Sequence, residues 1–442
     1  MDVSSEHLGL LSLAALFIFI FVGFPISLTL IFLGIVFGYI GFGKVVFYLM
    51  TYQVFGTMTE TLLAAVPLFL FMGYVLERAG LMNRLFHGFQ LLLAPVKGSL
   101  YIVVLAVATL FAAATGIVGA AVTILGVMAA PIMMKSGYSA RLSAGSIAAG
   151  GTLGMLIPPS VMLVVMGPVV GAPITELFAA AVIPGFLLAV LYALYAVGRC
   201  YLNPSLGPVL PMDQRAESVG EVVRELFFGI IPLVFLIFAV LGSILAGLAT
   251  PTDAAAMGAL GSLILAVVYR QLTWENLKKA VFSTVITSSM ILLLVAASNF
   301  YGAVFARLGT ATMIAQTLLE LQLPPTMILL MILALVFLLG WPLEWVPIVL
   351  IVIPIFMPLI EELQIDLVWF CALVAICLQT AWLSPPVALS AYYIKGVVPA
   401  WSLIDIYAGM MQFMVIQVIG LLLVLFFPAI ALWLPEVLFR GG

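Results

Sequence analysis

Long unbroken apolar runs, such as Leu8 to Phe24, Leu226 to Leu248 and Phe413 to Leu434, decide what this chain can fold into. As helices rising 1.5 Å per residue, they are long enough to cross a hydrocarbon core of roughly 30 Å. In lipid every backbone N–H and C=O must be bonded within the protein, which leaves helices or a closed barrel. Barrel strands alternate apolar and polar residues; these runs do not, so helices are expected. Charged residues make up only 7% of the 442, against about 25% in soluble domains. The chain reads as an all-α polytopic membrane protein embedded in a lipid bilayer.

Several classes drop out. Cys200, Cys371 and Cys377 stand in apolar runs, and His7 and His87 are the only histidines, so neither a disulfide framework nor a zinc cluster is expected. No His-Glu-x-x-His, Gly-x-Ser-x-Gly or phosphate-cradling Gly-x-x-x-x-Gly-Lys-Ser/Thr pattern occurs, so no enzyme, no ATP hydrolysis and no organic cofactor is expected. A net charge of -3 without a basic patch points to no nucleic acid. The short acidic N-terminus, with Asp2 and Glu6, lacks the basic leader of a signal peptide.

One polar interval, about 203–225, holds Asp213, Arg215, Glu217, Glu221, Arg224 and Glu225, and reads as a cytoplasmic linker between residues 1–202 and 226–442. The two halves repeat each other. Gly23-Phe24-Pro25 answers to Ala249-Thr250-Pro251 at a spacing of 226, and Arg78-Ala79-Gly80 to Arg307-Leu308-Gly309 at 229. Pro131 answers to Pro358, and Ile157-Pro158-Pro159 to Ser384-Pro385-Pro386, both at 227. Ordered repeats of this kind are a transporter signature. Basic loops face the cytoplasm. The loop after Pro131 carries Lys135 and Arg141, while its equivalent after Pro358 carries Glu361, Glu362 and Asp366. The repeats are therefore expected to be inverted, with about ten spans and both termini periplasmic. Residues 271–282 (QLTWENLKKAVF) read as an amphipathic interfacial helix on the cytoplasmic side.

In each half one apolar block, about 100–134 and about 327–359, has small residues or proline near its middle: Thr115-Gly116-Ile117-Val118-Gly119 and Gly340-Trp341-Pro342. Both read as re-entrant helical hairpins. Opposite them stand two double-proline elements inside broken helices at about 143–171 and about 366–396. Paired prolines remove donors and unwind a helix within its span, freeing carbonyl oxygens that lipid does not tolerate unless they line a site. Free carbonyls suit a monovalent cation, and half-helix N-termini suit an anion. Among polar residues in the apolar regions, Glu344 beside the second tip reads as a gating or proton contact or as a solvated tip. Asp253 reads as a helix N-cap and Arg307 as a snorkelling boundary cation. Thr152, Asn299 and Thr380 are candidate solute contacts, with helix packing the competing reading for Asn299.

The motifs resemble the large membrane subunit of tripartite ATP-independent periplasmic (TRAP) transporters, DctM-type. The carriers are Ala65-Val66-Pro67-Leu68-Phe69, GGTLGMLIPPS at 150–160, Leu248 to Ala255 (LATPTDAA) and Ser384-Pro385-Pro386. ATGIVGAAVTILG at 114–126 and YYIKGVVP at 392–399 look like the mannitol/chloroaromatic-like branch, associated with 2-oxo acids, lactate and similar carboxylates. The resemblance implies a sodium-driven importer of elevator type in a bacterial inner membrane. Its partners would be a small four-helix membrane subunit and a periplasmic solute-binding protein. Carried over, the first sodium site would use Thr115, Gly116 and Gly119 with carbonyls of Gly154, Ile157 and Pro159. The second would use Gly340 with Ala381, Ser384 and Val387. Where many members have a Ser-Gly-Ser-Ser run, this chain has Thr115-Gly116-Ile117-Val118. A stand-alone sodium/carboxylate symporter of related fold is the alternative.

Overall fold

The computed structural model describes residues 5–210, 218–341, 343, 345–385 and 388–441, with the backbone alone at 112–115 and 219. The positions expected at Glu344, Pro342, Pro386 and Val387, and Asp213, Arg215 and Glu217 of the linker, lie outside the described residues. Among those described there is no strand, and nine helices are long and apolar enough to cross a membrane.

Element order repeats. Helices Ser5–Val22 and Ile26–Phe42 answer to Val219–Leu245 and Pro251–Val268. Val45–Thr59 and Ala65–Arg78, joined by a short turn, answer to the single helix Trp274–Arg307, and Leu81–Leu93 answers to Thr310–Glu320. Then come hairpin, broken helix and last helix: Ser99–Thr115 with Val118–Lys135, Ala140–Thr152 with Val161–Val170, and Ile174–Leu202. Their counterparts are Pro325–Leu339 with a second arm ending at Glu362, Leu367–Leu383 with Leu389–Val397, and Leu403–Phe426. Left-handed corners recur at matching places, Gly80 with Gly309, and Gly137 with Gln364. Thr250 caps Pro251–Val268, and Asp253, expected as the cap itself, is instead its third-position partner in a reciprocal capping box.

Two ion-pair clusters fix the relative direction of the halves. Arg141, at the start of the first broken helix, donates to Asp405, at the start of the second repeat's last helix, at 2.6 Å. Arg440 joins Asp366, the cap of the second broken helix, at 2.6 Å to Glu176, in the first turn of Ile174–Leu202, at 2.7 Å. Hydrogen bonds donated first to Asp366 and then to Glu176 hold the Arg440 guanidinium above its usual pKa. The first broken helix crosses the molecule between Ala140 and Val170 before Ile174–Leu202 sets off, so residues 140 and 176 stand on opposite faces. Each cluster ties a broken helix to the other repeat's last helix. The two broken helices therefore start on opposite faces, and the repeats are inverted.

Re-entrance follows from contacts at the hairpin base. Ser99 Oγ lies 3.4 Å from the Tyr138 hydroxyl, the Tyr101 hydroxyl donates to Leu206 O at 2.6 Å, and Gly98 N donates to Gly207 O at 2.9 Å. Both ends of the first hairpin thus sit at the face where the linker begins. The tip reaches only the break of the adjacent helix: Gly116, with φ +62°, lies against Pro159 O and Val161 N. Packing between the halves is close where side chains are smallest. A Cβ on Gly409 would meet Arg141 O at 1.9 Å, and one on Gly145 would meet Gly409 O at 2.6 Å. Lipid supplies no hydrophobic drive between helices, so backbone-level contact of this kind holds them.

Two boundaries differ from expectation. Residues 271–282 form no separate interfacial helix: from Trp274 they are the first turns of the 34-residue helix Trp274–Arg307, capped by Thr273. The 3.6-residue apolar stripe simply continues without a breaker. The linker is also shorter than 203–225, because Ser218 caps Val219–Leu245 and Glu221, Arg224 and Glu225 fall in its first turns.

Candidate functional site

The first break runs from Leu153 to Ser160. A single tight turn, Leu153–Met155, follows Ala140–Thr152, and Leu156 N and Ile157 N both bond back to Leu153 O at 3.1 and 2.9 Å. Prolines 158 and 159 offer no donor, and their mutual peptide is cis. The carbonyls of Ile157, Pro158 and Pro159 accept no backbone hydrogen bond from a described residue. Side-chain hydroxyls nearby are spent locally: Ser160 Oγ donates to Met155 O at 2.5 Å and Thr152 Oγ1 to Ala149 O at 2.8 Å. What remains is backbone oxygen beside the Gly116 tip.

The second break differs. Leu367–Leu383 ends at Ser384 in extended backbone, and Ala388 adopts a left-handed conformation (φ 37°) before Leu389–Val397 resumes. Ser384 Oγ donates to Thr380 O at 2.7 Å and lies 2.9 Å from Met414 Sδ. The Gly340 tip rests on Ala381.

Both tips and both breaks converge on one cavity of about 420 Å³. The first hairpin contributes Gly116 to Ala120, with Thr123 and Ile124 further toward its base. The first broken helix contributes Met155, Val161 and Met162, and the second hairpin Trp345 and Val346. Trp382 and Tyr393, whose rings stack 6.3 Å apart at 19°, come from either side of the second break. Leu70, Tyr74 and Glu77 of Ala65–Arg78 and Thr287, Met290 and Ile291 of Trp274–Arg307 form the opposite wall. The Tyr74 hydroxyl lies 2.8 Å from Thr287 Oγ1 and ties the two wall helices together. Helices Val118–Lys135 and Val161–Val170 both start at the cavity, which turns their positive ends toward it.

Of the residues expected at the first sodium site, Gly116 and Gly119 line the cavity, and Pro159 O is at the Gly116 tip. Gly154 and Ile157 lie in the break, with the Ile157 side chain turned onto Gly185; of Thr115 only the backbone is described. Gly340 packs on Ala381, and Ser384, three residues further along at the end of the same helix, is bonded to Thr380 O; none of the three lines the cavity. Thr152, Asn299 and Thr380 do not line the cavity. Asn299 Nδ2 donates to Thr57 Oγ1 at 2.9 Å between wall helices, and Thr380 Oγ1 donates to Cys377 O within its own helix. Glu77, Tyr74, Thr287 and Trp382 carry no motif of their own, and Thr123 and Tyr393 lie inside the family-like segments 114–126 and 392–399 without being marked out by them. Their only sequence signal is polar or aromatic character inside apolar stretches.

Three comparisons agree with this architecture. The sequence pattern of the family "Tripartite ATP-independent periplasmic transporter, DctM component" matches residues 13–430. The sialic acid TRAP transporter large permease protein SiaM of Vibrio cholerae is 30% identical, over 96% of this chain and 97% of that one. The C4-dicarboxylate TRAP transporter large permease protein DctM of Pseudomonas aeruginosa is 29% identical, over 87% and 88%. Among solved structures, the Alcanivorax borkumensis YdaH transporter superposes with a TM-score of 0.62 at 16% identity, covering 89% of each chain. That likeness shows the fold.

Proposed function

Since this chain belongs to the DctM component family of tripartite ATP-independent periplasmic transporters, we propose that it imports a small organic acid, driven by sodium, as the large permease subunit of a three-part system. The observation that carries this reading is the single cavity bounded by both hairpin tips, both breaks and a separate wall of long helices. Carbonyls of Ile157 to Pro159 beside Gly116, and the Gly340, Ala381 and Ser384 group, offer oxygens to sodium. The positive helix ends at Val118 and Val161 favour a carboxylate of the solute. A 2-oxo acid, lactate or a similar small carboxylate fits a cavity of about 420 Å³. The hairpins and broken helices would move as one body along the wall, in elevator fashion.

The linker face is the cytoplasmic one in this proposal. Among the described cations only Lys44, Arg307 and Arg440 stand at the opposite face, so the basic loops gather on the linker side. Both termini are then periplasmic, in a bacterial inner membrane. A small four-helix membrane subunit and a periplasmic solute-binding protein are the partners.

Reconstitution in liposomes tests this. Uptake of radiolabelled lactate or a 2-oxo acid should require the small subunit, the loaded binding protein and an inward sodium gradient together. Uptake by the large subunit alone would favour a stand-alone symporter, and uptake indifferent to sodium would remove the proposed driving ion.

A further inference from the structure

Among the described residues the cavity is lined by one carboxylate, Glu77, which the proposed transport cycle does not use. Among the described residues no lysine, arginine or histidine lines the cavity, so Glu77 carries its only formal charge. The carboxylate has no hydrogen bond or ion pair to any described residue. Its neighbour Arg78 turns away: the guanidinium donates to Ser283 Oγ at 3.4 Å and lines a separate crevice with Ala266, Gln271 and Asn276. Glu77 lies in the last turn of Ala65–Arg78, just before the left-handed corner at Gly80. That corner leads into Leu81–Leu93, which packs on residues 225 and 226 just beyond the linker. Thr123 is more than one turn from the first tip toward the hairpin base, at the same face. Glu77 thus marks the end of the cavity nearest the linker, and the hairpin tips mark the deep end.

We propose that Glu77 is a charge gate at this mouth: its carboxylate lowers the affinity of an anionic solute at the linker end of the cavity, favouring release there and opposing rebinding. The proposal rests on the solute's being an anion. A unit charge in a partly water-excluded cleft acts over many ångströms, so it biases solute affinity on this side without touching the solute when bound at the tips. The adjacent Arg78 offsets part of its field, and the other surrounding elements add little. Val161–Val170 carries no titratable group. Tyr101 of Ser99–Thr115 is bonded to Leu206 O at the hairpin base, Asp253 and Arg307 stand at the opposite face, and Glu60 caps Leu62. Lys279 is paired with Glu275, Lys278 sits over Phe282, Arg84 sits over Tyr269, His87 is exposed, and Lys135 is at the hairpin base.

Thiol chemistry reads this field without knowledge of the solute. In inside-out vesicles a Thr123→Cys variant is treated with a cationic trimethylammonium or an anionic sulfonate methanethiosulfonate of similar size. The three native cysteines are buried. The ratio of cationic to anionic rate cancels the thiolate fraction. It is expected to fall roughly tenfold or more when Glu77→Gln is added, and to be kept by Glu77→Asp. It should also fall as pH is lowered through the carboxylate range in the Glu77 protein, and stay flat with Glu77→Gln. An unchanged ratio on Glu77→Gln at neutral pH overturns the proposal. Should Glu77→Gln fail to insert, the Thr123→Cys protein alone decides: a ratio independent of pH overturns it. Failure of sodium-driven uptake in liposomes would count against the transport reading and leave this ratio as it is.

Discussion

The two halves share one plan and supply their oxygens differently. At the first break a tight turn and two prolines leave a run of carbonyls, with Ser160 and Thr152 hydroxyls already bonded to their own backbone. At the second, a left-handed Ala388 restarts the helix and a serine hydroxyl stands at the end of the first segment. The tips differ as well. Gly116 needs its positive φ, whereas Gly340 is αR and is constrained by Ala381 instead. Inverted duplication fixes where the polar backbone must be, and leaves each copy free to choose how it is exposed. The first half relies on conformation that only glycine and proline provide, and the second on packing.

The contrast can be broken at its tightest point first. Helix Ala140–Thr152 crosses Leu403–Phe426 through Gly145 and Gly409, while the equivalent crossing in the other half has Val182 where Gly409 stands. Gly409→Ala should lower stability by about 3 kcal/mol, because its Cβ overlaps a backbone carbonyl that cannot move alone. Val182→Ala should cost about 1 kcal/mol or less. Thermal unfolding in detergent measures both, and equal losses would mean the halves are packed alike.

The tips come next. Gly116→Val places a β-branched residue at φ +62°, a conformation costing well over 1–2 kcal/mol. The sodium concentration for half-maximal uptake should rise by roughly tenfold or more. Ser384→Ala should raise it only about threefold, since that hydroxyl is already committed to Thr380 O. A larger effect at Ser384 would reverse the assignment of side-chain and backbone roles. Smallest are the face clusters. Arg440→Gln removes the bridge between Asp366 and Glu176 and should cost about 1 kcal/mol after allowance for solvent exposure. Arg141→Gln, in a more exposed pair with Asp405, should cost less. Melting temperatures of the two variants compare them directly.

Much of this plan could be read from the residues. Apolar run length gave the spans, and the double prolines at a spacing of 227 located both breaks within a few residues. Lys135 against Glu362 pointed to the inversion, which the Arg141 and Arg440 clusters display in the fold. The cavity wall was not legible. Tyr74, Glu77 and Thr287 meet across helices far apart in the chain, and nothing local to those residues encodes the encounter. Asn299 left a solute contact and helix packing both open, because a polar amide in an apolar helix has several uses; its bond to Thr57, on another helix, is a packing contact. The start at Trp274 was hidden for a simpler reason, as an amphipathic first turn and a spanning helix share one period.

The inverted pair of hairpins is the claim on which the rest stands, and side-specific labelling tests it most directly. Single cysteines are placed at the equivalent loop positions Ser136→Cys and Leu363→Cys, with a membrane-impermeant maleimide added to right-side-out or inside-out vesicles. Ser136→Cys should label only from the linker face and Leu363→Cys only from the other. Labelling of both from the same face would mean that the two halves run in parallel, and would contradict the account.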